Sequence, residues 1–267
     1  MGNLRPPAVA GMFYPRDPGD LEREITTYLK GVREKPGLAA IKALIVPHAG
    51  YVYSGPIAAS AYGALCPMAA SIHRVVLLGP THRTAIRGLA LAAAAAYATP
   101  LGSVPVDQSA RESLADLEQV VVSDGPHAQE HSLEVQLPFL QRVLGSFTLV
   151  PLAVGSASPM EVSQVLERLW GGPETLIVIS SDLSHYLPYG QARTQDQATC
   201  QRILQGQADI RHDEACGATP INGLLLAART RHLHPQLLDL RNSGDTAGDK
   251  SRVVGYAAFA FEPPHAH

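Results

Sequence analysis

Three stretches of the chain share one pattern: about four aliphatic residues in a row, then small or turn-forming residues, then a histidine. They cover residues 43–48, 74–82 and 175–185. Continuous apolar runs without alternation are typical of strands buried on both faces of a parallel sheet. Residues 21–32 and 160–170 instead place apolar side chains at helical spacing. Strands that alternate with helices predict an α/β fold.

The remaining pattern completes this architecture. Residues 88–107 are typical of two strands joined by a type I turn, with Pro100 and Gly102 at its second and fourth positions. Residues 57–65 are rich in alanine and predict a helix with Pro56 in its first turn. No linker, repeat or low-complexity tract divides the chain. We predict a single three-layer αβα domain over residues 1–267, with a mixed, mostly parallel central sheet.

Composition restricts the class of protein. Of the 267 residues, 46% are hydrophobic and 17% charged, which favours a compact globular chain with a large core. The net charge is −3 and basic residues form no run, so nucleic acid is not an expected partner. The longest apolar run, residues 89–98, is about half the ~20 residues of a membrane helix. Three widely spaced cysteines and no secretory segment predict a cytoplasmic protein that does not bind membranes.

Polar side chains follow the three apolar strands. His48, His82, Asp182 and His185 all come within a few residues of a strand end. Ligands of open α/β sheets bind at the carboxyl ends of the strands. A single histidine after a strand is more often a surface residue, but three at equivalent points predict convergence on one site.

Metal binding is the first chemistry that these residues suggest. Imidazole is a ligand for iron, copper and zinc, so His48 and His82 are candidate ligands. Cys216 is the candidate for the third ligand, because residues 217–220 (Gly-Ala-Thr-Pro) predict a helix start, where the helix dipole lowers a thiol pKa. A buried, inert cysteine is the alternative.

Acid–base catalysis is the second chemistry that these residues suggest. Asp182 precedes His185 by three residues and could orient or charge its imidazole. His131 lies beside Glu130 and near Glu134, although acidic residues also simply favour helix starts. The glycine signatures of phosphate loops, dinucleotide folds and serine hydrolases do not occur.

Seven motifs, in order along almost the whole chain, resemble the MEMO family, also described as AmmeMemoRadiSam system protein B. They are Gly11-Met12-Phe13-Tyr14-Pro15, Pro47-His48-Ala49-Gly50-Tyr51, Gly79-Pro80-Thr81-His82, Thr99-Pro100-Leu101-Gly102, Glu130-His131-Ser132, Ser180-Ser181-Asp182-Leu183-Ser184-His185 and Val254-Gly255-Tyr256.

The resemblance implies a fold like that of the class III extradiol ring-cleaving dioxygenases, which are non-haem iron enzymes. It implies one metal ion, with iron(II) expected first and copper or zinc as alternatives. It also implies radical-SAM and AMMECR1-type partner proteins. The implied metal ligands are His48, His82 and Cys216, and the implied catalytic residues of the same pocket are His131, Asp182 and His185.

Two functions follow as expectations. One is a metal-dependent redox or dioxygenase-like enzyme that acts on a small molecule. The other is a non-catalytic metal-binding protein or a peptide-binding adaptor. His131, Asp182 and His185 favour the enzyme, because a metal store needs no acid–base groups. Cys216 replaces the carboxylate ligand of the ring-cleaving enzymes, and an oxidisable thiolate favours metal binding or redox sensing.

Overall fold

The computed structural model describes residues 3–32, 38 and 40–264. Its strands are β1 (Leu4–Arg5), β2 (Ala43–Val46), β3 (Arg74–Pro80), β4 (Leu89–Leu91), β5 (Ala96–Thr99), β6 (Gly102–Pro105), β7 (Val120–Val122), β8 (Thr148–Val154), β9 (Thr175–Ser180), β10 (His185–Leu187), β11 (His234–Asn242) and β12 (Val253–Glu262). Its α-helices are α1 (Pro18–Lys30), α2 (Tyr51–Gly63), α3 (Ser109–Leu114), α4 (Gly125–Ala128), α5 (Leu137–Leu144), α6 (Pro159–Leu169), α7 (Tyr189–Leu204), α8 (Ala218–Thr230) and α9 (Ser243–Thr246). Short 3₁₀ turns occupy Cys66–Ser71 and Glu134–Gln136. Within these described residues, no helix is long and apolar enough to cross a membrane.

A nine-stranded mixed sheet forms the centre of the molecule. Its order is β10-β12-β2-β9-β3-β8-β4-β7, and β11 pairs with β12. Strands β2, β9, β3 and β8 run parallel to one another. Strand β12 joins β2, and β4 joins β8, in the antiparallel sense. The fold is therefore α/β with a mixed sheet, as predicted, and its parallel strands lie at the centre, where the histidine-bearing runs are.

Helices cover both faces of this sheet. Successive strand residues point to opposite faces, so Leu44 and Val46 enter one hydrophobic core while Ala43 and Ile45 enter the other. Helices α1, α2 and α5 pack into the first core, and α3, α6, α7 and α8 into the second. These three layers confirm the αβα prediction and explain why the central strands lack polar alternation.

The three histidine-bearing strands end at the same edge of the sheet. Strands β2 and β9 end in register, with Val46 opposite Ser180, and β3 runs parallel beside β9. His48, His82 and Asp182 each lie two residues beyond the last residue of their strand. The sheet register therefore brings these side chains to one place.

The helix after β2 begins earlier than the sequence predicts. We expected a helix at residues 57–65 with Pro56 in its first turn, but α2 begins at Tyr51 and contains Pro56. Gly50 takes an extended conformation at the helix start and lets the chain turn directly after the strand. Proline lacks a backbone N–H and removes one helical hydrogen bond, and the helix forms despite this loss.

A buried carboxylate fixes the first residues of the chain to the loop beside the strand ends. Glu134, which is fully buried, pairs with Arg5 and accepts a hydrogen bond of 2.6 Å from the Tyr14 hydroxyl. It also accepts from the two backbone N–H groups of residues 8–9, at 2.8 and 3.0 Å. Arg5 donates in turn to the carbonyl oxygen of Glu130, at 2.7 Å. This network holds the loop that carries Glu130.

Replacing Glu134 with alanine should strongly destabilise the fold. The change leaves the Arg5 guanidinium buried without its counter-ion, a loss of about 3–5 kcal/mol in the free energy of unfolding. Urea denaturation measures this difference. Arg23→Ala is the matched control, because it breaks the exposed pair with Asp20 and should leave the midpoint unchanged. Equal effects of the two variants would contradict the role given to Glu134.

Candidate metal centre

Three imidazoles meet beyond the strand ends. His48, His82 and His131 each offer one ring nitrogen, and these atoms lie within 4.8 Å of one another. The ring centroids are 5.2 Å apart for His48 and His82, 5.4 Å for His48 and His131, and 4.7 Å for His82 and His131. The first two side chains follow β2 and β3, and the third comes from the loop before α5.

Glu130 fixes the orientation of His82. Its carboxylate lies 2.9 Å from Nδ1 of His82 and accepts a hydrogen bond of 2.6 Å from the backbone N–H of that residue. It also accepts from the backbone N–H groups of His131 and Ser132. Burial alone would raise the pKa of Glu130, but these hydrogen bonds lower it to about 2. An ionised carboxylate can only accept, so Nδ1 of His82 carries the proton and Nε2 keeps its lone pair.

A hydroxyl network assigns the tautomer of His48. The Ser180 hydroxyl donates to the carbonyl oxygen of Ser132 at 2.6 Å and accepts from Nε2 of Gln136 at 2.8 Å. The hydroxyl of Tyr62 donates to Oε1 of Gln136 and so fixes the amide orientation. Because the one Ser180 proton is used, the 2.9 Å contact with Nδ1 of His48 needs a proton on that nitrogen. The lone pair of His48 therefore lies on Nε2.

Burial keeps two of these imidazoles neutral. It is the largest cause that lowers the pKa of His48 well below its ordinary value. It also lowers the pKa of His131 to about 4, although Glu130 opposes this shift. The ring of Phe13 covers His131, with the two centroids 4.7 Å apart. Neutral imidazole is the form that binds metals.

Asp182 lies beside this cluster, and its carboxylate contacts the backbone of His48. Its carboxylate accepts the backbone N–H of His48 at 2.7 Å. Burial raises the pKa of Asp182 to about 7, although hydrogen bonds from the backbone of His48 and Ala49 favour the carboxylate. The residue therefore holds the first turn after β2 and can exchange a proton near neutral pH.

Cys216 lies next to His48. Its Sγ is 3.3 Å from Nε2 of His48, the nitrogen that keeps the lone pair. Helix α8 begins directly afterwards with Gly217 as its N-cap, as predicted. A side chain at Gly217 would approach Ser181 Cβ to 2.6 Å, so glycine is required for this close packing against the end of β9.

The thiol pKa is the opposite of the sequence-based expectation. We expected the helix start to lower it, but burial is the largest cause and raises the pKa of Cys216 to about 12, with the charge of Asp182 adding to the rise. Without a cation nearby, Cys216 is a thiol and can donate its proton to Nε2 of His48. A cation bound at this nitrogen would favour the thiolate instead.

His185 lies at the outer side of the cluster, in the short strand β10. Burial is the largest cause that lowers its pKa, and charge on His82 lowers it further. His185 and the other five predicted site residues therefore lie together, but their roles as ligands or catalytic groups stay predictions. The sequence interpretation missed Ser180 and Gln136 as residues that orient His48. The position of Ser180 as the last residue of its strand, at the same edge as His48, could have indicated the role of Ser180.

The fold and the site define a three-layer α/β protein with a candidate metal-binding histidine cluster at the strand ends. Comparisons with known proteins agree with this class. The family model described as "Memo-like protein" matches residues 5–260. A MEMO1 family protein of Ignicoccus hospitalis is 36% identical, with 98% of this chain and 99% of that protein covered. A MEMO1 family protein of Aquifex aeolicus is also 36% identical, with 97% and 99% covered. This chain belongs to the Memo family.

A solved structure supports the fold independently. An uncharacterized protein from Escherichia coli K12 superposes with a TM-score of 0.52 at 14% identity, covering 82% of this chain and 99% of that one. At this level of identity, the likeness concerns the fold alone.

Asp182→Asn should change how stability depends on pH in protein freed of metal by a chelator. Burial raises the folded-state pKa of Asp182 to about 7, above its ordinary 3.8. The protonated carboxyl therefore contributes fully to the free energy of unfolding below pH 3.8, and this contribution is lost as the pH rises through 7. Asparagine cannot ionise and avoids this loss. The free energy of unfolding of the variant, measured with urea and compared with that of the wild type, should therefore increase by on the order of 2 kcal/mol from pH 5 to pH 8.

The exposed Asp116→Asn variant is the control and should show no such gain. If the difference in free energy of unfolding between Asp182→Asn and the wild type is the same at pH 5 and pH 8, this carboxyl is already ionised in the folded protein at pH 5.

Proposed function

We propose that this Memo-family chain is a mononuclear metal protein that carries out non-haem redox chemistry on a small organic molecule. The observation that supports this proposal most is the cluster of His48, His82 and His131, which each offer one ring nitrogen within 4.8 Å of the others. Nε2 of His48 and Nε2 of His82 keep their lone pairs, and neutral imidazole nitrogens of this kind bind metals.

The residues present fit a metal ion. Ligand nitrogens about 2.1 Å from a shared tetrahedral ion lie about 3.4 Å apart, so the observed limit of 4.8 Å needs only a small closure. Carboxylate and hydroxyl partners on the opposite ring nitrogens of His82 and His48 are typical of metal-binding histidines. His48 and His82 would hold the ion, together with Cys216 or His131. Iron(II) is our first choice, and copper or zinc are the alternatives.

The bound ion would supply a Lewis acid and, for iron or copper, one-electron chemistry. The chain's own residues would supply proton transfer. Neutral His185 can accept a proton at its ring, and the Asp182 carboxyl, with a pKa of about 7, can give one back near neutral pH. If Cys216 is the third metal ligand, neutral His131 can also accept a proton at its ring.

A second function, metal binding or redox sensing without turnover, is favoured by one contact. The Cys216 thiol lies 3.3 Å from Nε2 of His48, where it competes with a metal for the same lone pair. Thiolates prefer copper(I) or zinc over iron(II), and they are the oxidisable group of the site. A reducing cytoplasm is the compartment in which this thiol would persist.

Loss of both strand-end histidines should remove the metal. Untagged wild-type protein purified without oxygen should carry about one ion per chain, and the double variant His48→Ala, His82→Ala should carry almost none. His185→Ala should retain the ion but lose oxygen uptake in the presence of catechol, which reports the redox function. His212→Ala is the control outside the cluster and should change neither quantity.

Inductively coupled plasma mass spectrometry and an oxygen electrode make these measurements. Unchanged metal content in the double variant would exclude the cluster as the metal site. Metal binding without oxygen uptake by the wild type, across a panel of small aromatic substrates, would favour the second function.

A carboxylate in place of Cys216 should change the metal preference. Cys216→Asp should weaken copper(I) binding relative to iron(II) by at least tenfold and make metal binding more resistant to peroxide, because the soft, oxidisable ligand is gone. Competition titrations beside a melting curve measure both effects. Cys66→Ser, at an exposed cysteine, is the control.

His131→Ala identifies the remaining ligand. If Cys216 is the third ligand, the metal content of this variant should stay near that of the wild type. An unchanged metal preference in Cys216→Asp, combined with metal loss in His131→Ala, would instead give an all-histidine site.

A further inference from the structure

The strand that carries His185 contains a β-bulge at Tyr186. Strand β10 pairs with β12 so that His185 lies opposite Val254 and Leu187 opposite the adjacent Val253, which leaves Tyr186 as the extra residue. Its φ is 60°, in the left-handed region. Glycine is the usual residue at such a bulge position, because a bulky side chain there is strained.

The positive φ of Tyr186 belongs to the β-bulge, whereas that of the comparable residue His232 belongs to a helix end. These are the two non-glycine residues with positive φ in the described part of the chain. His232 follows the end of α8, where the N–H of Leu233 bonds the carbonyl of Ala228 at 2.8 Å and terminates the helix. Tyr186 ends no helix, and its side chain is 62% exposed. Strained residues of this kind are concentrated at ligand sites.

Tyr186 links the histidine cluster to an arginine. Its ring lies 5.8 Å from that of His185, edge to face. The guanidinium carbon of Arg252 lies 5.1 Å from the centroid of the same Tyr186 ring. His185 lies at the outer side of the histidine cluster, so the Tyr186 ring contacts the predicted site from that side.

Arg252 is exposed and, among the described residues, forms no ion pair or hydrogen bond with an acidic side chain. The carboxylates that precede Arg252 most closely in the sequence have other partners: Asp249 accepts the backbone N–H of Ser251 at 2.6 Å, and Asp245 accepts the hydroxyl of Tyr189. A guanidinium stacked on an aromatic ring keeps its N–H groups free at its edge, in a geometry that matches the two oxygens of a carboxylate.

We propose that Tyr186 and Arg252 form a substrate-recognition subsite that binds the carboxylate of a small aromatic acid, with the reacting part of that substrate directed towards the histidine cluster. The proposal rests on the proposed function for the identity of its ligand as a substrate. A single guanidinium matches a planar carboxylate better than a phosphate, which ordinarily needs several donors. The bulge turns the Tyr186 ring to the position where it supports Arg252 and contacts the substrate ring.

Fluorine NMR titrations of the full-length protein test this subsite with matched probes. We expect 4-fluorobenzoate to bind at least tenfold more tightly than neutral 4-fluorobenzamide, and Arg252→Gln to abolish that preference. 4-Fluorophenyl phosphate should bind no better than the benzoate. Tyr186→Phe should keep the preference, because it keeps the ring, whereas Tyr186→Gly should reduce it without lowering the melting temperature.

Two matched variants control for charge and for backbone strain. Arg193→Gln removes another exposed guanidinium, which stacks on Tyr189 at 5.7 Å, and should leave probe binding unchanged. His232→Gly removes the other strained position and should also leave it unchanged. A benzoate preference that is absent in the wild type, or that survives Arg252→Gln, would overturn the proposal, as would stronger binding of the phosphate.

Metal content measured on the same samples separates the two proposals. A metal-free protein with an Arg252-dependent benzoate preference would refute the metal function and leave the subsite. A metal-loaded protein without that preference would refute the subsite and leave the metal function.

Discussion

The candidate site depends on the hydrogen bonds that the ionised carboxylate of Glu130 accepts. This carboxylate is almost completely buried, yet three backbone N–H groups and Nδ1 of His82 hold it as an anion. Burial alone would favour the neutral acid, so these donors decide its state. The anion accepts hydrogen bonds from the backbone of His82 and of His131, and so fixes the positions of both residues. It also fixes the tautomer of His82 through Nδ1. Arg5, itself paired with Glu134, holds the carbonyl of Glu130. The first residues of the chain are thus coupled to the site through two buried charges.

The fold was largely predictable, because its centre is encoded by apolar runs that can only be buried on both faces. The convergence of His48, His82 and Asp182 followed from the shared edge of parallel strands. The early start of α2 was not predictable from Pro56, because a proline penalty is a local quantity and the helix is stabilised by packing against the first core. The antiparallel pairing of β12 with β2 depends on contacts between residues more than 200 positions apart, which no local pattern reports.

Within the candidate site, which residues lie together was easier to predict than which contacts each of them makes. Spacing suggested Asp182 as a partner of His185, but the carboxylate binds the backbone of His48 instead. The helix start suggested a low thiol pKa for Cys216, but desolvation outweighs the dipole. Both errors have one cause: a sequence shows which groups are near in the chain, whereas pKa and hydrogen bonding depend on burial and on partners from other strands. Ser180 shows the same limit, because its role in orienting His48 depends on Gln136 and Ser132 from a distant loop.

The contact between Cys216 and His48 would give a metal site two states that differ by one proton. In the metal-free state the thiol can donate to Nε2 of His48, so neither group is left without a partner despite burial. A metal ion bound at that nitrogen would take the lone pair, and its charge would favour loss of the thiol proton, so the sulfur of Cys216 would become available as a ligand. Metal binding would therefore release a proton and become tighter as the pH rises. Asp182, whose own charge raises the thiol pKa, makes this coupling stronger when it is ionised.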